Sequence, residues 1–396
     1  MKNYDFVIIG AGLIGVATAY EMSKDGYKVA LIDAKGLGAG ASTANTGMLL
    51  FEGARYSSSF SICGDSIKEY DQLEDELEYK FDYSKMELIK LFEREGEEAE
   101  ARELDSFFAE YGFRGEILSN DDLKRLEPGI CLDSVCGAEI VDQWQVDPIK
   151  ETYAYFLKAR QYGTDWYPYS PVLDFTKQGD KITGVITPKG AIQGEKIVLA
   201  AGAWTKELLA KLGVSIPQYY IHGTAMVTEK GKFELSHSVI YFSSPRVEMQ
   251  QKASEEALAN GWNNTREQAA CEFCVSPDGE GNILISQRSH VWPEFKDEVP
   301  ADDIRVLAGK AVKYFPELRN TNVIRSWIKP VPFVPDGCPF FGFIKSYPNL
   351  LVSSGFPSAL LMIPTIAKMT KKLFEGESLK YDISEFDPAR FDKEAR

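Results

Sequence analysis

Positive charge is in short supply in this 396-residue chain, which carries 44 Lys and Arg residues against 59 Asp and Glu residues. The formal net charge is −15 at pH 7. An acidic surface repels the phosphates of nucleic acids and the headgroups of anionic lipids, so the composition argues against both as partners. It does not identify a substrate, because a basic pocket can lie within an acidic exterior.

Long apolar runs and cysteines are also scarce. The two most apolar stretches, residues 6–20 and 350–367, are interrupted by glycine or proline, whereas a bilayer span needs roughly 20 continuous apolar residues. The glycine pattern and Asp5 also argue against reading the first stretch as a secretory signal. Six cysteines are too few for a disulfide scaffold. We therefore expect no transmembrane segment and a cytoplasmic location.

The order of the predicted elements indicates two interleaved domains. A strand, a helix and a second strand are predicted at residues 5–10, 13–25 and 28–33. Residues 219–289 show alternating strand-like runs, which favour an antiparallel sheet. Further helices are predicted at residues 66–80, 87–111, 148–162 and 364–375, a hairpin at 181–199 and a strand at 350–352. Nucleotide-type units therefore lie at both ends and in the middle, with β-rich sequence between them.

A glycine motif follows the first predicted strand. Gly10 permits a tight turn, Gly12 lets a pyrophosphate approach the backbone, and Gly15 allows close packing of helix and strand. Asp33, 18 residues after Gly15, can accept the hydroxyls of a ribose and would repel the 2′-phosphate of NADP. A glycine-rich turn without a ligand is the alternative. The context predicts a dinucleotide, either FAD or NAD.

A run of small residues, 38–49, comes soon after Asp33. Its Ser and Thr hydroxyls suit a long ligand that continues beyond the adenosine. A flexible linker is the alternative, but the run re-enters apolar sequence at Met48.

The whole set of motifs resembles one family. The set consists of the glycine motif with Asp33, STANTGM at 42–48, LKRLEP at 123–128, VDP at 146–148, AAGAW at 200–204, Trp327 with PDG at 335–337, and Gly355 with Pro364. In this order the motifs resemble the D-amino acid oxidase superfamily of FAD enzymes, especially its glycine oxidase and sarcosine oxidase branch. The resemblance implies an α/β, Rossmann-type FAD-binding domain (residues 1–82, 141–215 and 322–396) interleaved with an antiparallel-sheet substrate domain (83–140 and 216–321).

The resemblance also implies a set of cofactor contacts. Val172 matches a residue whose backbone contacts adenine, and Met48 and Leu49 match residues beside the flavin ring. Residues 355–361 match a loop and helix start that face the flavin pyrimidine edge, although the loop here is one residue shorter and lacks a small glycine. The implied contacts are Gly10, Gly12, Leu13, Ile14, Gly15, Asp33, Ala34, Ser42, Thr43, Asn45, Thr46, Gly47, Met48, Leu49, Val172, Ala201, Gly202, Trp204, Gly355, Ser358, Ala359 and Leu360.

The implied reaction is oxidation of a carbon–nitrogen bond. A hydride passes from the α-carbon of a neutral amine to flavin N5, and the imine then hydrolyses. In the family an Arg before the Pro-Asp-Gly turn and a Tyr commonly hold the substrate carboxylate. The matching positions here are Val331 and Phe273. Both usual anchors are therefore missing.

Other residues are candidates for the missing anchor. We expect Arg288, which follows a strand predicted to reach the flavin, to bind the carboxylate, with His222 or His290 tuning the amine. A surface ion pair is the alternative for Arg288. Lys329 and Arg55 are further candidates. The predicted catalytic group is Arg288, Met48, His290 and Lys329.

Two features bear on metals and on covalent attachment of the cofactor. Cys271 and Cys274 form a CxxC, but on a predicted strand their side chains would point to opposite faces, so we expect no metal. Some sarcosine oxidases attach the flavin to a Cys whose matching position here is Lys329, and Cys338 lies on the wrong side of the turn. The resemblance therefore implies non-covalent FAD.

Three functions stay open at this point. The preferred one is an FAD-dependent oxidoreductase acting on a small amino acid or amine. A second is the dehydrogenase subunit of a hetero-oligomeric amino-acid, opine or proline-type enzyme that passes electrons to a carrier. A third is a flavin-binding subunit without catalysis, which the departures at Val331 and Phe273 keep open. A homo-oligomer or a hetero-oligomer is compatible with each.

Overall fold

A computed structural model describes residues 2–50, 57–109, 114–231, 233–261, 267–292, 294–356 and 359–392. The strands are β1 (Asn3–Ile9), β2 (Val29–Ile32), β3 (Ser84–Phe92), β4 (Gly115–Leu118), β5 (Gly137–Gln145), β6 (Asp165–Tyr167), β7 (Asp174–Gln178), β8 (Lys181–Thr187), β9 (Gly190–Leu199), β10 (Tyr219–Thr228), β11 (Ser238–Tyr241), β12 (Gln268–Pro277), β13 (Ile283–Val291), β14 (Val323–Phe333), β15 (Phe340–Ile344) and β16 (Tyr347–Ser354). The helices are α1 (Leu13–Lys24), α2 (Ser57–Leu77), α3 (Glu97–Phe108), α4 (Asn120–Leu126), α5 (Pro148–Gln161), α6 (Thr205–Ala210), α7 (Pro245–Asn260), α8 (Ala301–Tyr314) and α9 (Ala359–Glu375).

The first sheet has the strand order β15-β16-β9-β1-β2-β6, with β8 also paired to β9 and β7 paired to β8. β1 lies between β2 and β9 and is parallel to both. Its alternate side chains enter two cores: Phe6 and Ile8 pack with α1, α5 and α9, whereas Val7 and Ile9 pack on the opposite face. Burial on both faces explains why β1 reads as a continuous apolar run. We call this the cofactor sheet.

The second sheet has the order β14-β10-β13-β12-β11-β3-β5-β4 and is antiparallel except for the β11–β3 pair. Helix α8 covers one of its faces, where Met226 and Ile285 pack with Leu307 and Tyr314. The opposite face of β10 and β14 lies toward the cofactor sheet. We call this the substrate sheet.

The predicted fold class, a Rossmann-type unit interleaved with an antiparallel-sheet domain, is confirmed. The exact domain boundaries stay a prediction. Two strands of the substrate sheet depart from these boundaries. β14 falls inside the range 322–396 that was assigned to the FAD-binding domain, yet it pairs with β10. Residues 141–145 of β5 were also assigned to that domain, yet β5 pairs with β3 and β4. No helix within the described ranges is long and apolar enough to span a bilayer.

Two of the predicted elements differ from the structure. The helix predicted at 87–111 is wrong over its first residues, because 84–92 form β3, which pairs with β5 on one edge and β11 on the other. The predicted run of strands from 219 to 289 is interrupted by α7, whose Met249 and Ala253 are buried one helical turn apart against the substrate sheet. Tertiary packing overrides local pattern at both places.

Candidate active site

A cavity of about 740 Å³ is lined by residues of both sheets. One end is formed by the glycine motif and the end of β2, and the other by β10, β13, β14 and the segment after β11. A cavity of this volume, lined by residues of both sheets, suits an extended ligand together with a second, smaller molecule.

Each glycine of the N-terminal motif stands where a side chain has no room. A Cβ on Gly10, whose φ is +106°, would lie 2.3 Å from the carbonyl oxygen of Ala200. On Gly12 it would lie 2.7 Å from Ser42 Oγ, and on Gly15 it would lie 1.8 Å from the Gly10 carbonyl oxygen. The absence of a side chain at Gly12 therefore leaves space in the cavity next to the backbone, whereas Gly15 lets α1 pack against the turn. These roles match the expectations for a pyrophosphate site.

The start of α1 opens onto the cavity. The backbone N–H of Leu13 donates to Ser42 Oγ at 3.0 Å, so the small-residue run is tied to the first turn of the helix. Leu13 and Ile14 both line the cavity. A helix N-terminus presents N–H groups and a positive dipole end, which suits a phosphate.

Asp33 links the glycine motif to the turn that follows β2, at the end of the cavity that these two segments form. Its Oδ2 accepts from the N–H of Ala11 at 2.9 Å, and its Oδ1 accepts from the N–H groups of Lys35 and Gly36 at 2.8 and 2.9 Å. A carboxylate offers about four acceptor positions, so these three bonds leave capacity for a ribose hydroxyl. The residues at this end therefore fit a dinucleotide.

The structure brings most of the predicted cofactor residues to one cavity. Those that line it are Gly10, Gly12, Leu13, Ile14, Asp33, Ala34, Ser42, Asn45, Thr46, Met48, Val172, Ala201, Gly202, Trp204, Gly355, Ala359 and Leu360. Those that do not are Gly15, Thr43, Gly47 and Leu49. Ser358 and Arg55 lie outside the described residues.

The four predicted residues that do not line the cavity pack behind the residues that do. Thr43 Oγ1 donates to the carbonyl of Gly38 at 2.7 Å, and the N–H of Gly47 donates to Asn45 Oδ1 at 2.8 Å. Leu49 is buried in the core that also contains residues of α1, α5 and α9. These contacts fix the shape of the small-residue run rather than touch the ligand space.

The start of α9 also reaches the cavity. Gly355 has a φ of +79°, and a Cβ there would lie 2.7 Å from Cγ2 of Val334. Ala359, Leu360 and Leu361, in the first turn of this 17-residue helix, line the cavity. The positive end of the helix dipole therefore lies beside the ligand space, where it stabilises negative charge.

The structure does not bring Arg288 or His290 to the cavity. The register of β13 shifts between Thr224 and Ala225 of β10, and the cavity is lined by Ser286 and Gln287 instead. Arg288 Nε lies 3.9 Å from Asp303 Oδ1, and His290 Nε2 lies 2.8 Å from both oxygens of Asp303, a residue of α8. The irregular register turns both side chains toward α8, so the predicted anchor and amine-tuning roles do not agree with their positions.

His222 lies on the same α8-facing side. Its ring is buried beside Trp292, and its Nε2 accepts from the N–H of Lys296 at 3.2 Å. Burial lowers the pKa of His222 to about 4, and His290 and Lys296 add to the effect. The ring is therefore neutral near pH 7, and it does not line the cavity.

At the far end of the cavity the strand β14 supplies Lys329, Val331 and Phe333 on one face. Lys329 Nζ lies 3.5 Å from Asp297 Oδ1, and Lys35 Nζ lies 3.3 Å from the other oxygen of the same carboxylate. Val331 brings no charge to this face. Phe273 packs its ring against Tyr314 with a centroid distance of 4.6 Å. The usual carboxylate anchors are thus replaced by apolar groups.

A polar cluster at this end was missed by the sequence reasoning. Arg246 Nε donates to Glu272 Oε2 at 2.8 Å, and Arg246 Nη1 donates to Gln250 Oε1 at 3.1 Å. The Ser244 hydroxyl donates to Glu272 Oε1. All four residues line the cavity, and we call them the Arg246 cluster. They escaped notice because α7, which carries Arg246 and Gln250, falls in a region where only strands were predicted.

The sequence is similar to those of known proteins. The family model described as FAD dependent oxidoreductase (DAO) matches residues 5–373. The glycine oxidase of Geobacillus kaustophilus is 24% identical over 98% of this chain and 97% of its own length. Sarcosine oxidase subunit beta of an Arthrobacter species is 30% identical over 90% of this chain and 82% of its own length.

A solved structure has the same fold. The crystal structure of glycine oxidase from Geobacillus kaustophilus superposes with a TM-score of 0.84 at 22% identity, covering 98% of this chain and 99% of that one. The family match extends over both sheets and over the cavity that they share, and the glycine motif, Asp33 and the start of α1 fit the cofactor. The chain belongs to the DAO family of FAD-dependent oxidoreductases.

Proposed function

We propose that this enzyme oxidises the carbon–nitrogen bond of a small amino acid or amine, with release of the product after hydrolysis of an imine. The observation that carries the proposal is one continuous cavity, which is lined by the residues that fit a dinucleotide and by mixed apolar and polar residues of the substrate sheet. The similarity to a glycine oxidase and to a sarcosine oxidase subunit beta supports the substrate class.

Different residues along the cavity would bind different parts of the cofactor. Bound FAD supplies the acceptor for a hydride from the substrate carbon. Asp33 would hold the ribose, the start of α1 the pyrophosphate, and Met48 the side of the ring system. The start of α9 would stabilise negative charge on the far side. We propose that FAD is held non-covalently, because the position that would attach it is Lys329 and Cys338 does not line the cavity.

The substrate end would orient the amine and exclude water. Val331 and Phe333 form an apolar wall, and Lys329 stands at its edge in an ion pair with Asp297. An apolar wall favours the neutral form of the amine, which is the form that can lose a hydride. Holding the carbon against the acceptor is the main contribution that this geometry can make.

The test is an anaerobic titration of purified, FAD-loaded protein with a panel of D-amino acids, N-methyl amino acids, proline analogues and simple amines. Bleaching of the flavin absorbance by at least one compound is the expected result. Protein that retains FAD but is reduced by none of them would contradict the proposal and would favour a flavin-binding subunit without catalysis.

The electron acceptor is a separate question. The similarity to a subunit of sarcosine oxidase keeps a hetero-oligomeric enzyme as the second candidate. Reoxidation of the reduced protein in air with stoichiometric peroxide would identify an oxidase. Slow reoxidation in air together with fast reoxidation by a quinone or dye would identify a dehydrogenase.

A further inference from the structure

The substrate end of the cavity lacks a cation on β14 but has one on the element facing it. Arg246, in the first turn of α7, places its guanidinium carbon 5.9 Å from the centre of the Phe333 ring. Phe333 is two residues beyond Val331 on the same face of β14, a separation of roughly 7 Å. The guanidinium therefore lies near the space that a long side chain at position 331 would occupy.

This place is also close to the start of α9. Val334 follows Phe333 directly, and its Cγ2 is the atom that a Cβ on Gly355 would meet at 2.7 Å. Gly355 and the first turn of α9 line the cavity beside the predicted flavin position. Arg246 therefore lies beside Phe333, and the loop that leads into α9 lies beside the next residue, Val334.

The contacts of Arg246 fix its plane and leave part of its fork available. A guanidinium has five N–H donors, and the bonds to Glu272 and Gln250 use one on Nε and one on Nη1. Within the part of the chain that the structure describes, no group accepts from Nη2. The Nη1–Nη2 edge can therefore bind a carboxylate through two parallel hydrogen bonds.

Other cations near the cavity are less suited to this task. Lys329 and Lys35 share the carboxylate of Asp297, whose side chain is 58% exposed. Lys35 is 56% exposed and Lys329 is 29% exposed, and an ammonium group lacks the planar fork that binds a carboxylate through two parallel hydrogen bonds. Arg288 belongs to the α8 side of the sheet. The Arg246 side chain is 26% exposed, and Glu272 and Gln250 both orient its guanidinium fork.

We propose that Arg246 binds the carboxylate of the substrate, with Glu272 and Gln250 acting as positioning residues that hold its fork. The proposal rests on the proposed function and narrows it: the substrate is an amino acid rather than an amine without a carboxylate. The anchor comes from α7, and Val331 is free to form the apolar wall with Phe333.

The experiment compares Arg246→Met with Arg246→Lys, which keeps the charge but loses the fork, and with Arg102→Met, a matched control. Arg102 pairs with Glu98 on the exposed surface of α3. The first readout is the affinity for benzoate, measured from the change in flavin absorbance that benzoate binding causes. The second is KM and kcat for glycine, sarcosine, D-alanine and L-proline, alongside benzylamine and N-methylbenzylamine.

We expect Arg246→Met to weaken benzoate binding and raise KM for the reactive amino acid about 10-fold to 100-fold, the range for a hydrogen bond to a charged group. Arg246→Lys should fall between the parent and Arg246→Met, and Arg102→Met should equal the parent. KM for an amine without a carboxylate should stay unchanged. If Arg246→Met fails to retain FAD, Arg246→Lys carries the same comparison.

Two kinds of failure are distinguishable. Unchanged benzoate binding in Arg246→Met, no benzoate binding by the parent, or a parent that oxidises only the amines without a carboxylate overturns the role of Arg246. A parent that retains FAD and binds benzoate but is reduced by no compound overturns the proposed function, while the benzoate comparison still decides whether Arg246 binds a carboxylate.

Discussion

Gly15 is a residue whose replacement tests the nucleotide motif directly. A Cβ there would lie 1.8 Å from the carbonyl oxygen of Gly10, and backbone cannot move aside as a flexible side chain can. We expect Gly15→Ala to cost roughly 1–3 kcal/mol of the free energy of unfolding, as overpacking does, and to weaken FAD binding. Thermal unfolding and retention of flavin absorbance during gel filtration measure both effects.

The control for this change is Gly309→Ala in α8. A Cβ at Gly309 meets nothing within 4 Å. Alanine there should leave FAD binding unchanged and raise stability by up to about 1 kcal/mol, because glycine is a poor helix former. Equal effects of the two substitutions would show that the close approach at Gly15 has no energetic consequence.

His222 makes stability depend on acid pH. Its pKa is lowered from 6.5 to about 4 by burial, with contributions from His290 and Lys296, so the unfolded chain binds a proton more readily than the folded one. Stability should therefore fall as pH drops from about 6.5 to 4. At 1.36 kcal/mol per pKa unit and after allowance for solvent screening, the loss is roughly 1–2 kcal/mol. Comparing unfolding of the parent and His222→Gln across this range measures it.

His237 provides a control of opposite sign. Its Nδ1 lies 2.8 Å from Glu127 Oε1, and this bond raises the pKa of His237. His237→Gln should therefore lose more stability at pH 5 than at pH 8, whereas His222→Gln should gain relative to the parent as the pH falls. Matching pH profiles for the two variants would rule out the assigned role of burial at His222.

Some residues of the site could be predicted from the sequence and others could not. The glycine motif and Asp33 were recognisable because their spacing reflects a fixed backbone geometry. The place of Arg288 was not, since its direction depends on an irregular register between β10 and β13 that no alternation pattern reveals. Arg246 was hidden for a different reason: its partner Glu272 lies 26 residues away in sequence and becomes a neighbour only through the fold.

At the scale of elements, α2, α5 and α9 meet at a buried polar contact. The Tyr70 hydroxyl lies 2.7 Å from Glu151 Oε1 and 2.8 Å from the carbonyl oxygen of Leu360. A hydroxyl has one proton, so Tyr70 can donate to Leu360 only if Glu151 carries a proton of its own. Burial raises the pKa of Glu151 to about 8, in agreement with a neutral carboxyl at this junction.

This junction should make stability fall as pH rises. The unfolded chain releases the Glu151 proton near its ordinary pKa of 4.5, whereas the folded chain keeps it until about 8. We expect Glu151→Gln to match the parent near pH 4.5 and to exceed it by roughly 2–4 kcal/mol near pH 8. Urea unfolding at the two pH values measures the difference, and Glu98→Gln on the surface of α3 is the control. A difference independent of pH would contradict a protonated Glu151.

Elements were predictable from the sequence where one face is clearly buried. The helices α1 and α5 and the strands β1, β2, β8 and β9 fall close to their predicted ranges. Strand β3 and helix α7 did not, because each is determined by partners far along the chain. The fold class could therefore be predicted, whereas the lining of the substrate end could not.

At the scale of the whole molecule, both sheets contribute walls to one cavity, so the cofactor should stabilise both. Removal of FAD should lower the free energy of unfolding by about 3–4 kcal/mol relative to protein with FAD at 100–1,000 times its Kd. Thermal unfolding of stripped and reconstituted protein measures the total. Hydrogen exchange should show loss of protection in β14 and β10 as well as in β1. Loss confined to the cofactor sheet would contradict the shared cavity.

The strand order of the cofactor sheet has a consequence for biosynthesis. β1 pairs with β9, β9 pairs with β16, and α1 packs against α9, so β1 gains its second pairing strand only once β9 has been made, and the sheet around it is complete only with β16. At 5–20 residues per second, roughly 20–70 s pass between emergence of β1 and emergence of β16. Throughout that interval the cofactor sheet is incomplete, and the side of α1 that packs against α9 lacks that helix. We expect the nascent chain to need protection of these apolar surfaces until α9 has been made.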